Sequence, residues 1–124
     1  MKYKLIERKN PQKLTEPGRY YASPVNEGSI RREEIAADIV DLSSLARGDV
    51  SNVIDSLADT FPKYLLLGRS VNIDGLGTFR LSFSSKGVDK PEDFNANMIS
   101  GLKIIFTPSA ELRDKIKNVK YTKA

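Results

Sequence analysis

Gly75-Leu76-Gly77-Thr78-Phe79-Arg80 is the segment whose spacing comes nearest to a known chemical motif, because it begins like the glycine fingerprint that brings backbone N–H groups against a pyrophosphate. Arg80 stands where the third glycine belongs, and an alternating strand pattern follows instead of a helix, so the two glycines serve a tight turn. Asp38, Asp41, Asp55 and Asp59 could supply paired acids, but at helical spacing they fall largely opposite the apolar stripes and read as a solvated face. The chain has neither histidine nor cysteine. The commonest general base, the commonest metal ligand and every thiolate are therefore missing, together with disulfides. The remaining Asp, Glu, Ser, Lys and Tyr are nowhere assembled by spacing, so no catalytic site, metal or cofactor is expected. Tyr3, Tyr20, Tyr21, Tyr64 and Tyr121 are scattered without an RNA-recognition pattern and read as packing residues.

Cations are the chemistry that is left. Lys and Arg number 20 against 16 Asp and Glu, a net charge of +4, which favours a polyanionic partner only mildly. Counted along the chain, residues 1–28 carry +3, residues 29–68 carry −3, residues 69–106 carry +1 and residues 107–124 carry +3. Basic charge collects toward both ends. With 124 residues, 40 % hydrophobic and 29 % charged, the composition is that of one globular domain with an appendage. The longest apolar run, Leu65-Leu66-Leu67, is too short to span a bilayer, and the charged start carries no secretory signal, so a cytoplasmic protein is expected.

The elements that must position these cations follow from periodicity. Pro11, Pro17 and Pro24 forbid a helix in residues 1–28, leaving two short extended pieces at residues 2–8 and 19–23, which read as an appendage adding edge strands. Ser29 is a good helix cap, Glu33 and Glu34 favour a helix start, and Ile35, Ile39 and Leu42 recur at helical spacing. After Ser43-Ser44, a second helix carries Val50, Val53, Ile54, Leu57 and Phe61 on one stripe. It starts near Asp49 or Ala46, tightens or kinks around Pro62 and stops at Gly68. Residues 70–73, 79–84 and 102–106 alternate as strands, with a hairpin signal at Asp74-Gly75. Residues 85–101 break the pattern and are read equally as ribbon, loop or disorder. Thr107-Pro108-Ser109 opens a last helix with Leu112, Ile116 and Val119 on its stripe.

At residues 29–119 the order of elements and the residues themselves resemble the bacterial histone-like HU/IHF family. The likeness rests on the acidic first helix, residues 45–61, the run Gly68-Arg69-Ser70-Val71-Asn72-Ile73-Asp74-Gly75-Leu76-Gly77-Thr78-Phe79, and Phe106-Thr107-Pro108-Ser109 with Leu112. Residues 1–28, with Arg8-Lys9-Asn10-Pro11 and Tyr20-Tyr21-Ala22, are similar to the extension of the longer variant found in gut-type Bacteroidetes. This resemblance implies an α+β fold: an intertwined homodimer with a helical-hairpin base, a three-stranded antiparallel sheet with a β-arm, a C-terminal helix and extra N-terminal strands. The expected division is 1–28 as extension and 29–124 as HU-like domain.

The function it implies is architectural, largely sequence-nonspecific binding of double-stranded DNA in the nucleoid. Arms from about residue 80 to 103 would contact phosphates through Arg80, Lys86, Lys90 and Lys103, with Arg69, Lys115, Lys117 and Lys120 as further contacts. In relatives a proline at the arm tip wedges between bases; here Pro91 is either that wedge or a plain loop proline. The arm departs from the family, since Asp89, Glu92 and Asp93 leave it near-neutral and the usual Arg-Asn-Pro tip is absent. A second function class therefore stands beside the first: an HU-like structural module that holds a protein partner and binds DNA weakly or not at all.

Overall fold

A computed structural model describes residues 1–124, which form two compact units: Met1–Ile30 with Ile116–Ala124, and Arg31–Lys115.

In the first unit, β1 (Lys2–Arg8) and β2 (Arg19–Pro24) pair antiparallel, from Tyr3 opposite Pro24 to Arg8 opposite Arg19. The prolines that exclude a helix sit mostly in the connection, where the Lys13 N–H donates to the Asn10 carbonyl and the Glu16 N–H to the Lys13 carbonyl. A third strand, β6 (Thr122–Lys123), runs parallel to β1 on its other edge, with Lys2 opposite Thr122. The Thr122 N–H donates to the Met1 carbonyl, the Ala124 N–H to the Tyr3 carbonyl, and the Met1 amino group to the Lys120 carbonyl. The N-terminal strands thus build a sheet of their own and do not extend the edge of the other one, contrary to the expectation from sequence. The residues that complete this sheet lie some 120 positions away, beyond any local pattern.

In the second unit, α1 (Arg32–Leu42) begins two residues later than the Ser29 cap predicts. Glu34 decides the start: its carboxylate accepts the Arg31 backbone N–H at 2.5 Å, satisfying a donor that the helix itself cannot. α2 (Arg47–Leu66) starts after Ala46 and continues straight through Pro62, then ends as expected in a tightened turn. The Gly68 N–H donates to the Leu65 carbonyl and the Arg69 N–H to the Tyr64 carbonyl, with Gly68 at φ +76°, which is a Schellman stop. Arg32 reaches from the first turn of α1 to Asp55 on α2 at 2.5 Å and also touches Glu33 at 3.3 Å. The hydrogen bond and charge of Asp55, then the charge of Glu33, raise the Arg32 pKa further above its ordinary value.

The second sheet has the order β3 (Val71–Ile73), β4 (Gly77–Ser85), β5 (Ile99–Pro108), all antiparallel. Between β4 and β5 the chain makes an ordered tip of two short 3-10 turns, Pro91–Asp93 and Ala96–Met98, so the segment left open by the sequence is a ribbon with a folded end. A bulge shifts the register where Gly101 and Leu102 face Phe83, and Gly101 takes φ +67° there. α3 (Ala110–Ile116) follows. It ends before Val119, shorter than its predicted stripe, because the chain turns there, with the Val119 N–H donating to the Ile116 carbonyl, and goes on to form β6. No helix is long and apolar enough to cross a membrane.

Val71, Phe79, Leu81 and Phe83 share one face of this sheet with Phe106 and Ile104. The Phe79 ring packs edge-on to Phe61 of α2 at 5.0 Å between centroids and stacks on Phe106 at 4.8 Å. Yet apart from Gly77 only Ala36, Val50 and Leu65 are buried, while Phe83, Leu102 and Ile104 remain 55 %, 64 % and 62 % exposed. A mostly apolar groove of about 490 Å³ runs between α2 and the ribbon, lined by Pro62, Leu65, Leu66, Leu81, Leu102 and Ile104, with Lys103 also at its wall.

Candidate nucleic-acid interface

Alternation along β4 and β5 sends the apolar side chains to one face and Arg80, Ser82 and Lys103 to the other. Arg80 lies opposite Ile105 and Ser82 opposite Lys103, so Arg80 and Lys103 are diagonal neighbours, about 7–8 Å apart at such positions. Both are exposed, and neither is paired with a carboxylate. Two cations spaced across a twisted ribbon suit contact with successive phosphate oxygens.

Lys86 and Lys90 belong to the tip. The Lys86 N–H donates to the Met98 carbonyl at 3.1 Å, closing the ribbon, and Lys90 precedes the first 3-10 turn, its carbonyl accepting the Asp93 N–H at 3.0 Å. Pro91 occupies the first position of that turn, where a missing N–H has no consequence. Asp89, Glu92 and Asp93 share the tip with these two lysines, leaving residues 86–98 at −1. Arg69 lies on the link between α2 and β3, held through its backbone to Tyr64.

The three C-terminal lysines are divided between the two units. Lys115 is in the last turn of α3 in the larger unit, whereas Lys117 and Lys120 belong to the smaller unit, where the Lys120 carbonyl holds the Met1 amino group.

Charge divides between the units more sharply than along the chain. Residues 1–30 with 116–124 hold nine Lys and Arg against three Asp and Glu, for +6. Residues 31–115 hold eleven against thirteen, for −2. Segment sums hide this, because the C-terminal residues join the N-terminal sheet only through β6. The cations of β1 and β2, among them Lys2, Lys4 and Arg8, belong to this more basic unit, and only the alternation of those three marks them in the sequence.

No three acidic side chains cluster closely enough to hold a metal ion.

Comparison with known proteins agrees with this architecture. No curated protein matches the chain significantly. The fold is shared with a candidate bacterial DNA-binding protein from Bacteroides vulgatus ATCC 8482, solved by crystallography, at a TM-score of 0.62 and 22 % identity. That match covers 98 % of this chain and 47 % of the other, so the chain spans about half the length of that relative. The fold is also shared with Anabaena HU, solved in a cocrystal with DNA, at a TM-score of 0.57 and 15 % identity over 73 % of this chain and 100 % of that one. Residues 1–123 match the family model HU-HIG, an HU domain fused to a wHTH, Ig or glycine-rich motif, and the chain belongs to that family.

Proposed function

We propose that this chain is an architectural, largely sequence-nonspecific double-stranded DNA-binding protein of the cytoplasmic nucleoid, acting as an intertwined homodimer. The observation that carries the DNA-binding reading is the β4–β5 ribbon of an HU-type unit with Arg80 and Lys103 side by side on its polar face, in a fold shared with an HU protein solved on DNA. Lys86 and Lys90 extend the same line of charge to the tip, with Arg69, Lys115, Lys117 and Lys120 as outlying contacts.

The dimer is argued from packing. Three buried side chains cannot stabilise a 124-residue fold, and the exposed apolar residues on α2, β4 and β5 form one continuous groove. A second copy laid into that groove supplies the missing core. Whether Pro91 is a wedge or a plain loop proline is a separate question, tested below.

The acidic tip favours a second reading, in which the same dimer holds a protein partner and DNA affinity is weak. Fluorescence anisotropy with linear and nicked duplexes from about 50 to 200 mM salt separates the two. Sub-micromolar binding with a steep salt slope supports the DNA role; a folded dimer that binds no duplex at the lowest salt would overturn it in favour of the protein-partner module.

A further inference from the structure

We propose that the small sheet unit, and not the ribbon, is the chain's main phosphate-binding surface, and that its ligand is the backbone of duplex DNA; this rests on the DNA-binding reading above. In the register of β1 and β2, Lys4, Ile6 and Arg8 lie on one face with Ser23, Tyr21 and Arg19 opposite them. The one strand carboxylate, Glu7, falls on the other face opposite Tyr20. It packs over Gly18, where a Cβ would stand 2.6 Å from the Glu7 Cγ.

Arg8 and Arg19 occupy directly opposed positions, an arrangement in which like charges repel. No carboxylate answers them. Glu27 is taken up by Lys2 at 2.7 Å, and Glu16 pairs with Lys13 at 3.8 Å, so neither forms an ion pair with Arg8 or Arg19. The Arg8 guanidinium sits 5.8 Å over the Tyr21 ring, a contact that helps orient it without neutralising it. Beyond the strand ends, Lys9 and Lys13 join Arg8 and Arg19 around a polar cleft of about 580 Å³, four cations against the single carboxylate of Glu16.

An uncompensated arginine pair beside a cationic cleft is relieved by an anion with several acceptor oxygens, and a phosphodiester backbone presents these in series. Charge points the same way. The unit carrying this face has +6, whereas the HU-type unit has −2, so attraction of a polyanion over distance favours the sheet unit.

The test compares the full chain with two variants, Lys4→Gln/Arg8→Gln/Arg19→Gln in the sheet and Arg80→Gln/Lys103→Gln in the ribbon, by anisotropy on a short linear duplex across about 50–200 mM salt. All five side chains are exposed, so both variants should keep the parent's circular dichroism and melting temperature. The sheet variant is expected to lose at least about tenfold in affinity, with the salt slope falling by roughly 0.9 for each lost contact, and to lose more than the ribbon variant. Arg8→Lys/Arg19→Lys, which keeps the charge, should retain the parent's slope. If the parent binds and the sheet variant stays within about twofold of it, the sheet assignment is overturned while the DNA reading stands. If the parent itself binds no duplex at the lowest salt, both fall together.

Discussion

Gly77 and Thr107 lie so close across the β4–β5 ladder that a Cβ at Gly77 would stand 2.3 Å from the Thr107 carbonyl oxygen, and 2.6 Å from the Phe106 ring. The backbone at Gly77 also takes φ +153°, a region that side chains rarely adopt. Gly77→Ala should therefore force two strands apart beneath the Phe79–Phe106 stack and cost about 2–3 kcal/mol. Gly48, inside the first turn of α2 with open space around it, is the control. There Ala should stabilise by about 0.4–1 kcal/mol. Denaturant midpoints measured at one protein concentration check both.

Ile104 lies opposite Leu81 on the apolar face and is 62 % exposed in the single chain. In a monomer Ile104→Glu would cost little, as exposed substitutions generally do. In the proposed dimer it places a carboxylate in a sealed apolar seam. Light scattering should then show a shift from twice the chain mass to one, accompanied by a loss of roughly 2–4 kcal/mol in stability. An unchanged dimer would place the interface elsewhere.

Proton binding should be nearly silent around neutrality. The chain has no histidine, so none of its side chains ordinarily titrates between pH 6 and 8. The one clear shift is upward, at Arg32 beside Asp55. A raised pKa in the folded state contributes stability that is complete below the unfolded value and fades only as the pH climbs through the folded one, here in strongly alkaline solution. Melting temperature and duplex affinity should both be flat from about pH 6 to 7.5. A transition inside that window would count against this expectation.

Pro91 opens a 3-10 turn whose next two residues are Glu92 and Asp93. Insertion between bases would bring those carboxylates toward the phosphates, which costs electrostatic energy. Pro91→Ala is expected to leave the bend of a doubly labelled duplex unchanged by energy transfer. A smaller bend in the variant would assign the wedge to this residue.

Much of the larger unit was legible because its signals are local. Phe79, Leu81 and Phe83 announce a strand by alternation, Asp74-Gly75 announces the turn before it, and Gly68 announces the stop of α2. The start of α1 was misread because two residues compete for one role: Ser29 has the right chemistry, but Glu34 reaches the free N–H first. Pro62 was rightly no barrier, since the helix tightens only after it. The small sheet stayed hidden for a different reason. Thr122 and Lys123 carry no strand signal of their own and become a strand only against Lys2 and Tyr3. The candidate interface shows the same limit. Arg80 and Lys103 could be picked out one by one, whereas the opposition of Arg8 and Arg19 exists only once register is known.

The parallel pairing of β1 with β6 also sets a timetable. On a ribosome adding about 5–20 residues each second, roughly 5–20 s pass between completion of β2 and the appearance of Thr122 and Lys123. Throughout that interval β1 has one free edge, and a two-stranded hairpin by itself is marginal in water. The HU-type unit has all its pieces earlier, since Lys115 precedes the closing strand. During synthesis β1 is thus made before the HU-type unit and secured after it.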